Sequence, residues 1–251
     1  MRKLARKISF RRQMILWILI LGVCIYGSVK VAYDIGYLYV ENGVRVCISD
    51  FFMFSTAPVY ADLRVFPILL LILILWEKNR QTYVYLYRYP SKKWLAGHIL
   101  KCSLGKALVC SLTWTGTICL IAVTRHLPVN NWDDPWSMYA FITGNTISYP
   151  YILPIVSLCV WDGVCKILFY ELLYETLLRS TRYTVLVWIP VAVNAGVGSM
   201  MYLAKEQWFY IIMYEESFWL SASCQFAVLS AGCIIVYGFL YRVVCHGDAV
   251  I

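Results

Sequence analysis

The sequence predicts an all-α membrane protein with six transmembrane helices and both termini on the cytoplasmic side. Three observations carry that reading. Of 251 residues, 61% are hydrophobic and only 14% charged, with a mean hydropathy of +0.66, whereas a soluble domain is roughly 25% charged. Apolar runs recur along the chain at the length of about twenty residues that an α-helix needs to cross roughly 30 Å of hydrocarbon. The basic residues are one-sided: under the six-span layout sixteen Lys or Arg fall on cytoplasmic segments, five on outer segments or outer ends, and Lys166 within a span, which is the positive-inside pattern. The net charge of +8 sits beside apolar runs and not on a soluble basic face. It therefore addresses anionic lipid headgroups, and nucleic acid is excluded as a partner.

The elements follow in order within one membrane domain, residues 1–251, with no visible repeat or linker. Residues 1–13 carry Arg2, Lys3, Arg6, Lys7, Arg11 and Arg12 with Leu4, Ile8 and Phe10 between them, an amphipathic start that lies on anionic lipid at the cytoplasmic surface. Span one is 14–32. A cleaved signal peptide is its alternative, disfavoured by a long apolar region and a poor cleavage site. Residues 33–57, with Asp34, Glu41, Gly43 and Asp50, belong outside. The pure apolar run 65–76 is only about 18 Å long as a helix. Span two therefore reaches back to Pro58, with Asp62 and Arg64 near its outer boundary and a kink at Pro67.

Span three, 103–124, carries Ser111, Thr113, Thr115, Gly116 and Thr117, small enough for close helix contact. Residues 125–149 lie outside, with an apolar stretch at 138–147 too short to cross but fit to dip into the interface. Span four is 151–172, followed by a cytoplasmic turn at 175–182. Span five is 183–203, where Ala192 with Gly196 and Ala195 with Ser199 form small-residue pairs. Residues 205–217 form an aromatic outer segment, and span six is 218–241. Seven of the ten cysteines fall inside apolar runs, where they read as small packing residues. Cys47 in the outer segment has no obvious partner, and no Cys-x-x-Cys pair offers a metal or redox centre.

The stretch 77–101, EKNRQTYVYLYRYPSKKWLAGHILK, is the elbow between spans two and three. Residues 77–89 contain no Gly or Pro and fit a helix of about three turns. Pro90 ends it, and Ser91 caps a second helix that leads through Trp94 and Ile99 into span three. A short basic and partly apolar helix across the ends of two spans fits either a soluble partner or an anionic lipid surface. Glu77, then Asn79-Arg80-Gln81-Thr82, an aromatic and aliphatic turn, Pro90-Ser91-Lys92-Lys93 and the later Lys101 together resemble the second-span and coupling-helix region of type-2 ABC transporter permeases. The six-span layout extends the resemblance loosely over the chain. It implies two permease subunits, identical or not, and separate cytoplasmic ATPase subunits that hold the ATP and magnesium. It further implies that Glu77, Arg80, Gln81, Thr82, Arg88, Pro90, Ser91, Lys92 and Lys93 are the ATPase-coupling residues. An exporter of peptides, drugs or similar amphipathic substrates in a bacterial cytoplasmic membrane is the expected function, and a membrane assembly or sensing protein without a transport path is the alternative.

The chemistry of the remaining residues agrees with a chain that binds no cofactor itself. Gly105-Lys106 is followed by Ala107 and preceded five residues earlier by Leu100, so the Gly and Ser/Thr of a phosphate-cradling loop are both missing. His98, His126 and His246 fall in the elbow, an outer loop and the tail, so they converge on no catalytic centre within a span. Glu215-Glu216 reads as a pair of solvated loop acids. The intramembrane candidates for a substrate path or gate are Asp162 and Lys166 on span four, with Asn194 on span five. Ionisable residues at such depth are functional candidates, while the four-residue spacing equally allows a self-neutralising pair on one helix face. Glu171 and Glu175 near the cytoplasmic end read as structural, with Glu175 placed to answer Arg179.

Overall fold

The computed structural model describes residues 2–57, 60–77, 91–144, 146–148, 152–180, 183–203 and 218–246. Among them the regular structure is helical, with a single isolated backbone bridge between Arg45 and Ser137. The helices are α1 (Arg2–Asn42), α2 (Ile48–Thr56), a π-helical turn (Ala61–Val65), α3 (Phe66–Glu77), α4 (Lys92–Thr124), α5 (Met138–Thr143), α6 (Ile152–Ser180), a 3-10 turn (Thr184–Val187), α7 (Trp188–Leu203) and α8 (Phe218–His246). Among the described residues four segments are long and apolar enough to cross a membrane: Gln13–Asn42, Lys92–Thr124, Ile152–Ser180 and Phe226–Cys245. The pair Ile48–Thr56 and Ala61–Leu75, bent by 57° at its break, has the length and composition of a broken span or a re-entrant loop. The shorter apolar helix Thr184–Gly196 covers part of the expected fifth span.

The distribution of exposed side chains suits a lipid solvent. Ile15, Ile18, Leu21 and Ile25 of α1, Leu112 and Leu120 of α4, and Ile234 and Ile235 of α8 all face outward, an apolar surface that water would not tolerate at this extent. α6 is the hub, packed on α8, α4 and α2, and α1 closes against α4. Close approach is made by small residues. Ser111 Oγ on α4 donates to the Val160 carbonyl of α6 at 2.6 Å, opposite Gly163, where a Cβ would stand 2.6 Å from that oxygen. On the other side Ser28 of α1 and Thr117 of α4 share a hydrogen bond of 2.9 Å. In lipid such contacts replace the hydrophobic effect as the glue between helices.

Several boundaries differ from the sequence reading. α1 does not stop at Ala32 but continues to Asn42, where Gly43 adopts φ +64°, a left-handed turn that glycine enters without strain. The segment expected to lie wholly outside contains α2, whose residues Ile48 to Ser55 are buried. Ser91 caps as expected: its Oγ accepts from the Trp94 amide, and a single helix of 33 residues follows. The chain bends between Thr56 and Ala61, at the start of the stretch read as span two, and not at Pro67. Pro67 has no N–H to return to the helix and its ring crowds the carbonyl four residues earlier, and the turn before it is widened into a π-helix.

The bundle end remote from Ser91 is closed by a cap. Arg45 exchanges backbone hydrogen bonds with Trp136 and Met138, and the Ile48 amide donates to the Pro128 carbonyl. The indole of Trp132 donates to Asp50 Oδ1 at 2.8 Å, while Asp50 Oδ2 accepts from the Cys47 amide. Met138 and Tyr139 of α5 are buried here, and Tyr139 stacks on Trp132 with centroids 5.0 Å apart, so the stretch expected to dip into the interface packs into the cap. Cys47 is buried and free, as are Cys24, Cys110, Cys159, Cys165 and Cys233.

The tightest α1 contact gives a test. A Cβ on Gly27 would lie 2.5 Å from Val65 Cγ2 and 2.7 Å from the Trp114 ring, whereas one on Gly22 would meet nothing within 4 Å. Both neighbours of Gly27 are buried and stiff. Thermal unfolding in detergent should show Gly27→Ala destabilised by about 1–3 kcal/mol, with Gly22→Ala within about 1 kcal/mol of the parent or more stable.

Candidate functional site: a buried lysine at a broken span

The chain breaks between α2 and the π-turn, at the start of the stretch read as span two, and the break is where the buried charges gather. α2 ends at Thr56 and its last carbonyls lose their helical partners. The chain resumes helix at Ala61 in a π-turn that brings Asp62 inward, 4% exposed. α6 passes alongside with Asp162 and Lys166 one turn apart, so both side chains reach the same face.

Lys166 Nζ stands 3.0 Å from Asp162 Oδ2 and 3.2 Å from Asp62 Oδ2, with side-chain exposures of 11%, 2% and 4% for Lys166, Asp162 and Asp62. The same Nζ donates toward the Thr56 carbonyl at 3.5 Å, a long contact, and lies 5.9 Å from the centre of the Phe66 ring. One ammonium thus ties together the end of α2, the π-turn and α6. Asp62 Oδ1 is buried and has no hydrogen-bond partner among the described residues.

Around this trio the polar shell is short. Tyr170, one further turn along α6, lies close enough to feel the charges of Asp62, Lys166 and Asp162, with Asn194 of α7 near its hydroxyl. A second polar node lies toward the end of the bundle that Ser91 starts. Lys106 of α4 donates to Glu171 Oε1 at 3.1 Å, and with Ser103, Tyr174 and Glu175 these groups line a small cavity of about 10 Å³, room for about one water, between α3, α4 and α6. Glu175 accepts from Arg179 Nε and Nη2 at 3.1 and 3.0 Å, so that expected pairing is present. A third cluster flanks the trio: Tyr60 donates to Asp34 Oδ2 at 2.9 Å, and Arg64 lies 3.6 Å from the same oxygen and over the Tyr60 ring.

Of the residues singled out from the sequence, Asp162 and Lys166 are together in one cluster, and Asn194 touches its rim through Tyr170. Ser91 caps α4, and Lys92 and Lys93 are exposed in its first turn. Arg80, Gln81, Thr82, Arg88 and Pro90 lie outside the described residues, and Glu77 is described only as the last residue of α3. Sequence reasoning placed Asp62 near the outer boundary and missed its part in the cluster. The signal was present in the two prolines, Pro58 and Pro67, that a single straight span could not accommodate. Comparison with protein-family models, with curated proteins and with solved structures finds no match for this chain.

The formal charge of the trio, two carboxylates against one ammonium, decides how it responds to substitution. Asp62→Asn leaves a neutral Asp162–Lys166 pair and should unfold within about 1 kcal/mol of the parent. Lys166→Met removes the ammonium that both buried carboxylates share and should cost about 3–5 kcal/mol, the usual range when a buried pair loses one member. Thermal unfolding in detergent checks both, and equal losses in the two variants would refute the charge assignment.

Proposed function

We propose that this chain is the transmembrane subunit of an ATP-binding-cassette transporter of the type-2 permease kind, an exporter driven by a separate ATPase. In this reading it crosses a bacterial cytoplasmic membrane six times, the 1–13 segment rests on anionic lipid, and ATP and magnesium stay on the partner. The observation that carries the transport reading is the break at the start of the stretch read as span two, closed by a lysine shared between two aspartates and a helix-end carbonyl. Broken helices with charged groups at their ends are how membrane transporters build sites at depth, and a purely structural span gains nothing from three buried charges.

The assignment to the cassette class rests on the resemblance in 77–101, and the geometry of α4 supports it. The helix capped at Ser91 continues without interruption through Thr124, about 50 Å at 1.5 Å per residue, well beyond a hydrocarbon core of roughly 30 Å. Its first turns therefore stand clear of the core, with Lys92, Lys93 and Trp94 exposed. A push on that end turns the whole rod, and Ser111, Thr115 and Lys106 carry the motion to α6. α6 in turn holds the break through Lys166. ATP binding on the partner would move the elbow, the two rods would reorient, and substrate would pass between two such subunits.

Purification in mild detergent tests the proposal. An ATPase subunit should accompany the full chain and be lost when residues 80–93 are deleted, while the deleted chain still folds as judged by its helical circular dichroism. A chain that comes alone from its native membrane, or an ATPase that stays bound without 80–93, would favour a membrane assembly or sensing protein instead.

A further inference from the structure

We propose that the junction between the first turn of α2 and the 128–139 segment is a proton-operated latch, with Asp50 as the group that takes the proton. Five carboxylates are buried among the described residues: Asp50, Asp62, Asp162, Glu171 and Glu175. Four of them stand 3.0–3.2 Å from a Lys or Arg nitrogen. Asp50, 0% exposed, is the exception. Its Oδ1 accepts from the Trp132 indole and its Oδ2 from the Cys47 amide, both at 2.8 Å, and no Lys, Arg or His pairs with it among the described residues. A charge at this point is met by neutral N–H dipoles, one from each side of the junction. The backbone closes the same seam, with the Ile48 and Ser49 amides donating to the Pro128 and Val129 carbonyls and Ser49 Oγ to Val129 again.

The charged groups on the elements around α2 are engaged elsewhere or exposed. Arg45 pairs with Asp134 at 2.8 Å, Asp34 of α1 meets Tyr60 and Arg64, and Lys30 lies over Tyr33. Glu41, Arg125, His126 and Asp133 are exposed, and Asp162 and Lys166 of α6 meet at the far end of α2. Asp50 itself precedes the stretch read as span two. Burial disfavours its charged form and the N–H donors favour it. Burial wins: the Asp50 carboxyl is pushed up to about 6, against the pull of the Cys47 amide and the Trp132 indole. The neighbouring Cys47 thiol stays protonated, since burial and the Asp50 charge push it up as well. An unfolded chain takes the Asp50 proton only near the ordinary 3.8. Between those two values the folded protein holds more proton, so stability rises as pH falls through 6 and is lost as pH climbs back. The latch therefore tightens in acid. It fixes one end of a nine-residue helix whose other end carries the Thr56 carbonyl that Lys166 reaches. That the latch faces the external medium rests on the orientation proposed above, and the titration does not.

The experiment is thermal unfolding of the purified full chain in detergent at pH 7.5 and at pH 5. On acidification the unfolding midpoint of the parent should rise by about 3 °C more than that of Asp50→Asn, which has no carboxyl to protonate there. Asp134→Asn, the same chemical change at the exposed ion pair of the cap, should keep the parent's response. A local probe reads the proton directly: the indole N–H resonance of Trp132, assigned by its absence in Trp132→Phe, should shift with pH about a midpoint near 6. Should Asp50→Asn not fold, that resonance alone decides. The proposal is overturned if the parent and Asp50→Asn respond equally to acid, or if the Trp132 indole signal does not move between pH 7.5 and 5.

Discussion

The constraint on which the structure depends is that a charge inside an apolar bundle must meet its partner there. Lys166 satisfies it for two aspartates from different parts of the chain at once. Surface ion pairs contribute little because water serves each member as well as the partner does. At the break of span two each side chain is nearly sealed, so separating the pair means exposing both members to hydrocarbon. The geometry of the π-turn, the interior end of α2 and the face that α6 presents are all positions that bring oxygens to one nitrogen.

That arrangement makes the break a place where two packings can differ by a modest free energy. Across the break the Ala57 carbonyl accepts from both the Tyr60 and Ala61 amides, so a change of angle there strains a few turn-like hydrogen bonds and not a full helical ladder. The neighbouring contacts are also of the adaptable kind: a hydroxyl on a carbonyl at Ser111, a thiol at Cys159 near Ser55 and Thr115, and an ion pair at Lys106 and Glu171. α4 is the opposite kind of element, one uninterrupted rod. A long rod packed on a helix that holds a broken span is a mechanical path from one end of the bundle to its interior.

Much of this was legible in the residues. Apolar length and the placement of Lys and Arg marked spans at 103–124, 151–172 and 218–241, since burial in lipid leaves little choice of sequence there; the helices Lys92–Thr124, Ile152–Ser180 and Phe218–His246 run beyond them, the second through most of the turn expected at 175–182. Ser91 was legible as a cap because a hydroxyl after proline and before a polar first turn has one local use. The Asp162 with Lys166 pair followed from helical spacing alone. What was not legible depends on contacts distant in sequence. Asp62 lies 104 residues from Lys166, and periodicity does not report which helix faces which. Likewise α1 runs on to Asn42 through polar residues because it packs against the π-turn, with Asp34 meeting Tyr60 and Arg64. The cap depends on Trp132 finding Asp50, 82 residues away, which no local pattern announces.

The claim that Lys166 and Asp62 answer one another across the break is tested most directly by a double-mutant cycle on unfolding free energy with Asp62→Asn, Lys166→Met and the two combined. Partners in one buried network couple by roughly 0.5–3 kcal/mol. The account predicts that the double variant is about 1 kcal/mol or more stable than the sum of the single effects implies, and effects that add to within about 0.3 kcal/mol would contradict it.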